Sequence, residues 1–288
     1  MKNPFKRLDI FRCKYHSHAR FDYRVSPYHV LRVKNCYPDG CLYFKWRCAL
    51  LNKGQTCIKG FKHVGRKCFG CKHYYDEKVN NHPELLVSQD EYLAFLEEIE
   101  ELEDWLDSIS SKSVEFWGVV KTVKPRLLKV INSDRSLIHL EGYLLHFDDV
   151  YLDHLHWEDH CYVRIYADQQ ERFKFAPGDD VEFACRVEMD QGRLVFNKIR
   201  RIEFRSKSPK DFWTNSKALV AKNTMKFLPE QMQKCIHCPS GVLIDVIDKS
   251  KPKWIRKREL YCLKSIENPD ICPHVEEYAT DLYFEKCP

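Results

Sequence analysis

The side chains in this sequence with the most chemical potential are its cysteines, 14 in 288 residues. That is too few for a small disulfide scaffold and too clustered for scattered core residues, so metal ligation is the first chemistry to consider. Six of them, Cys36, Cys41, Cys48, Cys57, Cys68 and Cys71, follow the pattern C-x4-C-x6-C-x8-C-x10-C-x2-C. Zinc ribbons use paired short hooks, because each hook supplies two adjacent tetrahedral corners, and here only Cys68-Phe-Gly-Cys71 is such a hook. Wide single spacings suit iron–sulfur ligation, where thiolates arrive from separate loops. Six exceed the four that one cluster needs. Either two are spare, or His63 and His73, or His16 and His18 near Cys13, complete a second site. A second set, Cys235, Cys238, Cys262 and Cys272, begins with a hook and continues with longer gaps, and Cys287 follows near the end. The cofactor expected is one or two [4Fe–4S] clusters, with zinc as the alternative at either set. Cys161 and Cys185 fall on apolar strand faces and read as core.

Other constellations are less specific. Gly60 to Lys67 superficially resembles a phosphate loop, but Arg66 stands where the lysine should be and no Ser or Thr follows, so a nucleotide site is rejected. Asp153 to His160 holds three histidines and three acids, either an exposed loop or an H-x-H metal or acid–base site. The run from Lys249 to Arg258 is basic around Trp254. Lys253, Trp254, Arg256, Lys257 and Arg258 form either a solvated hairpin tip or a phosphate-contacting finger with a stacking indole. No catalytic motif nominates a reaction, so enzymatic activity stays open.

The elements that must position these residues divide by charge. Residues 1–80 carry 18 Lys/Arg against 5 Asp/Glu, whereas residues 81–112 carry 1 against 10. This predicts a basic cysteine module over 1–80, an acidic amphipathic helix within 81–112, a strand-rich domain over 113–205, a linker and helix over 206–234, and a second cysteine module over 235–288. The helix is predicted over Ser88–Ser110, opened by a Ser88/Glu91 capping box, with Leu93, Leu96, Ile99, Leu102, Leu106 and Ile109 on its apolar face. Its acidic face is either solvated or docked on the basic module. No apolar run reaches the roughly 18 residues of a membrane helix, and the charged start does not resemble a secretory signal. The expectation is a cytoplasmic protein with no membrane partner.

Five strand runs are predicted between 114 and 205, the fourth alternating cleanly within "PGDDVEFACRVE" after Pro177-Gly178-Asp179, with Gly118 and Gly142 at bends. This pattern resembles the OB-fold superfamily over about 90 residues. The fold class expected is therefore α+β and multi-domain, a central five-stranded OB-like β-barrel flanked by two cysteine-rich metal-binding modules. The resemblance implies binding of single-stranded nucleic acid across the second and third strands. Tyr162, Arg164 and Tyr166 would form the aromatic–cation–aromatic row, or else pack under a neighbouring segment.

Two functions follow. One is a metal-containing nucleic-acid-binding protein whose basic modules grip the backbone. The other is an iron–sulfur electron-transfer or cofactor-assembly protein that docks an acidic partner. A subunit of a larger complex is a third reading.

Overall fold

A computed structural model describes residues 1–110, 112–229, 233–250, 252 and 254–272. The chain divides into two compact units, residues 3–104 and residues 105 onward, the latter joined by Met1–Lys2.

The first unit contains β1 (Phe11–Arg12), β2 (Arg24–Val25), β3 (Cys41–Cys48), the one-turn helix α1 (Ala49–Asn52), β4 (Tyr74–Asn81) and β5 (Glu84–Leu85). Helix α2 (Gln89–Ile109) follows and runs just past its boundary. β1 lies between β2 and β5, while β3 and β4 pair antiparallel with each other from Cys41↔Asn81 to Cys48↔Tyr74. The capping box forms: the Ser88 N–H donates to Glu91 at 2.8 Å and the Glu91 N–H to Ser88 Oγ at 3.3 Å. The buried face of α2 is Tyr92, Phe95, Ile99 and Leu102, whereas Leu93 is exposed. The apolar face thus starts one residue earlier than Leu93, because large aromatic rings win the burial. Tyr92 packs edge-on against Phe11 and Tyr37, at 5.9 and 5.3 Å between centroids. The acidic face meets the basic module through Arg7–Glu98 at 3.3 Å and Arg32–Glu103 at 2.6 Å. Exposed pairs of this kind contribute about 0–1 kcal/mol each, so the aromatic cluster holds the helix and the carboxylates set its partner.

The second unit is built on β6 (Val114–Val119), β7 (Thr122–Ile131), β8 (Ser136–Phe147), β9 (Val150–Leu152), β10 (Leu155–Trp157), β11 (Cys161–Ile165), β12 (Asp180–Asp190), β13 (Arg193–Ser206), β14 (Lys226–Leu228), β15 (Gly241–Asp248) and β16 (Ile255–Cys262). Helices α3 (Ala167–Phe173), α4 (Asn215–Thr224) and α5 (Gln233–His237) complete it. All eleven strands join one mixed sheet in the order β10-β9-β6-β12-β13-β11-β8-β7-β15-β16-β14. This corrects the expected architecture. The ladder does not stop at five strands as a closed barrel would, and strand content outweighs helix. The residues expected to form a separate C-terminal cysteine module supply β15 and β16, with β15 parallel to β7 from Asp245↔Leu128 to Asp248↔Ile131. The physical reason is visible in β15, whose Val242, Ile244 and Val246 are buried and share a core with Leu127 and Tyr261. Strands that bury such a row add to an existing sheet edge rather than fold apart.

β6 and β7 are two residues apart in the chain but five places apart in the ladder, so the sheet coils strongly between them. Phe116 stacks on Phe183 at 4.5 Å and packs edge-on against Phe147 and Phe196. Gly142 has φ +132° beside a register shift, and a Cβ there would come 2.1 Å from the Ile165 carbonyl oxygen. Close backbone approach, as the sequence pattern implied, is what requires glycine. Cys161 and Cys185 are fully buried, and burial raises both thiols far above their ordinary range. No described helix is long and apolar enough to cross a membrane.

Candidate metal and nucleic-acid sites

The N-terminal thiols divide between two cavities. Cys48, Cys57, Cys68 and Cys71 line one of about 20 Å³ together with His63. Cys36 and Cys41 line another of about 200 Å³, joined there by Cys13, His18 and His29. Burial, followed by the adjacent Cys41 and Cys13 thiols, pushes the Cys36 thiol up to about 12. Asn81 Nδ2 donates to Cys13 Sγ at 3.0 Å, and burial lowers the His29 imidazole, with His18 and Lys34 adding to the effect. The thiols surround these cavities without converging, since among the described residues no three cysteines bring their sulfurs within 4.8 Å of one another. The six-cysteine pattern therefore splits four and two, and Cys13 comes to the pair.

The β3–β4 hairpin carries the four-thiol loop at one end and presents a face of its own. Alternation along β3 leaves Leu42, Phe44 and Trp46 between 44% and 58% exposed. Phe69 from the loop, itself half exposed, meets the Trp46 ring edge-on at 5.0 Å. Residues 41–81 hold nine Lys/Arg against two Asp/Glu, a net of +7. Exposed aromatics in a basic field are what single-stranded nucleic acid needs, stacking for bases and cations for phosphates.

In the second unit, Cys235, Cys238, Cys262 and Cys272 are neighbours. Burial raises the Cys235 thiol, and Cys238, Cys272 and Cys262 raise it further. Beside the Cys235–Cys238 hook lies a residue the sequence did not announce. Lys124 Nζ donates to the carbonyls of Ile236, Cys238 and Gly241 at 3.1, 2.8 and 2.9 Å. Burial depresses its ammonium to about 8, an effect the Cys238 thiol opposes. Three carbonyls aimed at one amine fix the turn from α5 into β15.

The predicted nucleic-acid residues are largely engaged within the fold. Tyr162 stacks on His146 at 5.1 Å with Arg193 over its ring, and Arg164 pairs with Glu188 at 3.1 Å and Asp190 at 2.9 Å. Tyr166 stands outside β11, just before α3, and is 60% exposed. In the basic run, Lys257 pairs with Glu259 at 2.5 Å and Arg258 with Asp190 at 2.6 Å and Asp245 at 2.8 Å. Arg256 is exposed, as is Trp254, whose ring carries Lys249 Nζ at 4.5 Å, and Lys253 lies outside the described residues. Asp190 thus joins the row to the finger. Burial works against its charge, but the bond from Arg258, with Arg164 and Arg193 nearby, holds its carboxyl below the usual range.

His146, Asp148 and His160 form a compact cluster in which each offers one ligand atom, all within 4.8 Å. His160 Nδ1 lies 2.5 Å and His146 Nε2 3.0 Å from Asp148 Oδ1, and Lys121 Nζ donates to the other carboxylate oxygen. Burial alone would raise the Asp148 carboxyl, but hydrogen bonds from His146, His160 and Lys121 outweigh it and hold the group far down. Of the Asp153–His160 run, then, only His160 enters this cluster, and its partners come from the end of β8. His156 instead pairs with Asp149 at 2.5 Å.

Compared with family models, with curated proteins and with solved structures, the chain matches none.

Proposed function

We propose that this protein binds single-stranded nucleic acid and that the β3–β4 hairpin makes the principal contact. One observation carries the reading: Leu42, Phe44 and Trp46 point out from β3, with Phe69 against Trp46, in a segment of net charge +7. A half-exposed row of large apolar side chains on a two-stranded hairpin costs solubility unless something covers it. The surrounding Lys45, Arg47, Lys59, Lys62, Arg66, Lys67, Lys72 and Lys78 favour a polyanion with flat apolar groups over an apolar protein face. Such a surface reads bases by stacking, at about 1–3 kcal/mol each, and is tolerant of sequence. Tyr166, Trp254 and Arg256 remain exposed on the second unit and supply a smaller secondary contact.

Titration of fluorescently labelled single-stranded DNA and RNA against the full chain tests this. Affinity should fall with salt, the log–log slope steepening by about 0.7 for each phosphate neutralised on a single strand. Tighter binding of an acidic polypeptide than of either oligonucleotide, surviving Trp46→Ala, would move the assignment to a protein partner.

A further inference from the structure

We propose that Cys48, Cys57, Cys68 and Cys71 form a mononuclear zinc site that staples the 49–73 loop to the base of the β3–β4 hairpin. The inference does not depend on what the hairpin binds.

The first ground is what the loop lacks. From Ala49 to His73 not one residue is buried, although the segment turns repeatedly and returns the chain to pair Cys48 with Tyr74. About 25 residues of ordered backbone cost tens of kcal/mol of conformational entropy, which apolar burial offsets in an ordinary domain. Small modules without a core replace it by disulfides or metal. Here four thiols line one cavity, beside the half-buried Leu51, Phe61 and Val64.

The second ground is the shape of the turns. Cys57-Ile-Lys-Gly60 closes with the Gly60 N–H on the Cys57 carbonyl at 2.9 Å, and Cys68-Phe-Gly-Cys71 closes with the Cys71 N–H on the Cys68 carbonyl at 3.0 Å. Gly60 and Gly70 have φ of +73° and +81°, a left-handed conformation that glycine adopts without strain. The backbone N–H groups of Lys59, Gly60 and Phe61 face the Cys57 sulfur across the first of these turns. Donors aimed at sulfur stabilise a thiolate, the form that binds metal. The loop therefore contains two sulfur-bearing turns, where the spacing alone showed a single hook.

The third ground selects the ion. A cavity of about 20 Å³ admits one atom-sized occupant, whereas a cubane of four irons and four sulfides needs several times that space. Four thiolates around one small divalent ion are the tetrahedral environment of structural zinc. Binding releases the thiol protons to solvent and leaves the site with two net negative charges. Lys59 and Lys67, which line the same cavity, offset these. Tetrahedral ligation requires the four sulfurs to stand closer together than the 4.8 Å within which no three of them lie.

Elemental analysis of the full chain purified with zinc provides the test. Cys57→Ser and Cys68→Ser should each lower bound zinc by about one per chain, while the core variant Cys185→Ser should not. His63→Ala should keep the ion, since four thiolates already complete the tetrahedron. Replacement by Co(II) should give the strong visible bands of a four-thiolate tetrahedral site, lost in Cys57→Ser. Should the serine variants fail to fold, the wild type still decides. Chelation should speed tryptic cleavage at Lys59, Lys62 or Lys67 roughly tenfold or more, because opening the loop no longer costs the metal. Unchanged zinc in folded Cys57→Ser and Cys68→Ser, iron with acid-labile sulfide bound at these four cysteines, or cleavage indifferent to chelation would overturn the assignment.

Discussion

Replacing Lys124 by methionine isolates one buried charge held by three backbone carbonyls. The ammonium donates to three carbonyls at 2.8–3.1 Å in a site that depresses its pKa from 10.5 to about 8. That depression corresponds to roughly 3 kcal/mol of cost for holding the charge there. Hydrogen bonds from a charged donor return about 1.5–3 kcal/mol each, so three outweigh the cost. Methionine keeps most of the volume, removes cost and bonds together, and leaves the carbonyls of Ile236, Cys238 and Gly241 facing a thioether. The expected net loss is about 3 kcal/mol, which for a unit of this size lowers Tm by about 6–12 °C. Thermal unfolding of the full chain followed by far-ultraviolet circular dichroism measures it, with exposed Lys210→Met as the control. A Lys124→Met variant within about 0.5 kcal/mol of wild type would refute the reasoning, because the three carbonyls would then need no cation.

The other expectations concern the remaining polar joints and the aromatic face. Gly142→Ala should destabilise the second unit by about 3 kcal/mol or leave it unfolded, since the added carbon meets the Ile165 carbonyl; denaturant titration checks this. Asp190→Asn should cost about 2 kcal/mol in the same assay by weakening Arg164 and Arg258 together. For pH, burial lowers His146 below its ordinary value near 6.5, so the unfolded chain binds the proton first and stability falls as pH drops through that value. Asp148, held low by His146, His160 and Lys121, adds stability above the ordinary carboxylate range and loses it only as pH falls further. Melting curves of wild type and His146→Gln between pH 7.5 and about 5 should converge at the acid end. Trp46→Ala should weaken oligonucleotide binding roughly 5- to 150-fold, the equivalent of about 1–3 kcal/mol, without changing Tm.

What was legible in the sequence was local. The Ser88/Glu91 box is complete within four residues, and the start of α2 could be read from it directly. Its buried face was displaced because Tyr92 and Phe95 repeat at the same three-residue step as Leu93 and Leu96, and periodicity cannot say which pair meets a core. Cys161 and Cys185 were readable as core from strand alternation alone. Features that depend on distant pairing were hidden. The two strands of the β3–β4 hairpin flank a 25-residue cysteine loop, so no short turn announces them. Cys13 reaches Cys36 and Cys41 from another turn of the chain, and His146 and Asp148 reach His160 across adjoining strands. The five-strand barrel is an error of count as well as of extent: the first expected run straddles the break between β6 and β7, β9 and β10 pair within the same span, and β15 continues the sheet beyond β7. Tyr162 and Arg164 were placed correctly on the polar face of β11, yet Glu188, Asp190 and His146, which engage them, come from other strands.

The central claim is that the exposed aromatic hairpin grips a single strand. A fluorescence-anisotropy titration of labelled oligonucleotide against wild type and Phe44→Ala/Trp46→Ala, repeated across a salt series, tests it most directly. Wild type should bind with an affinity that weakens steeply with salt, and binding should nearly vanish in the double variant. Absence of binding at low salt, or binding of equal strength by the double variant, would contradict it.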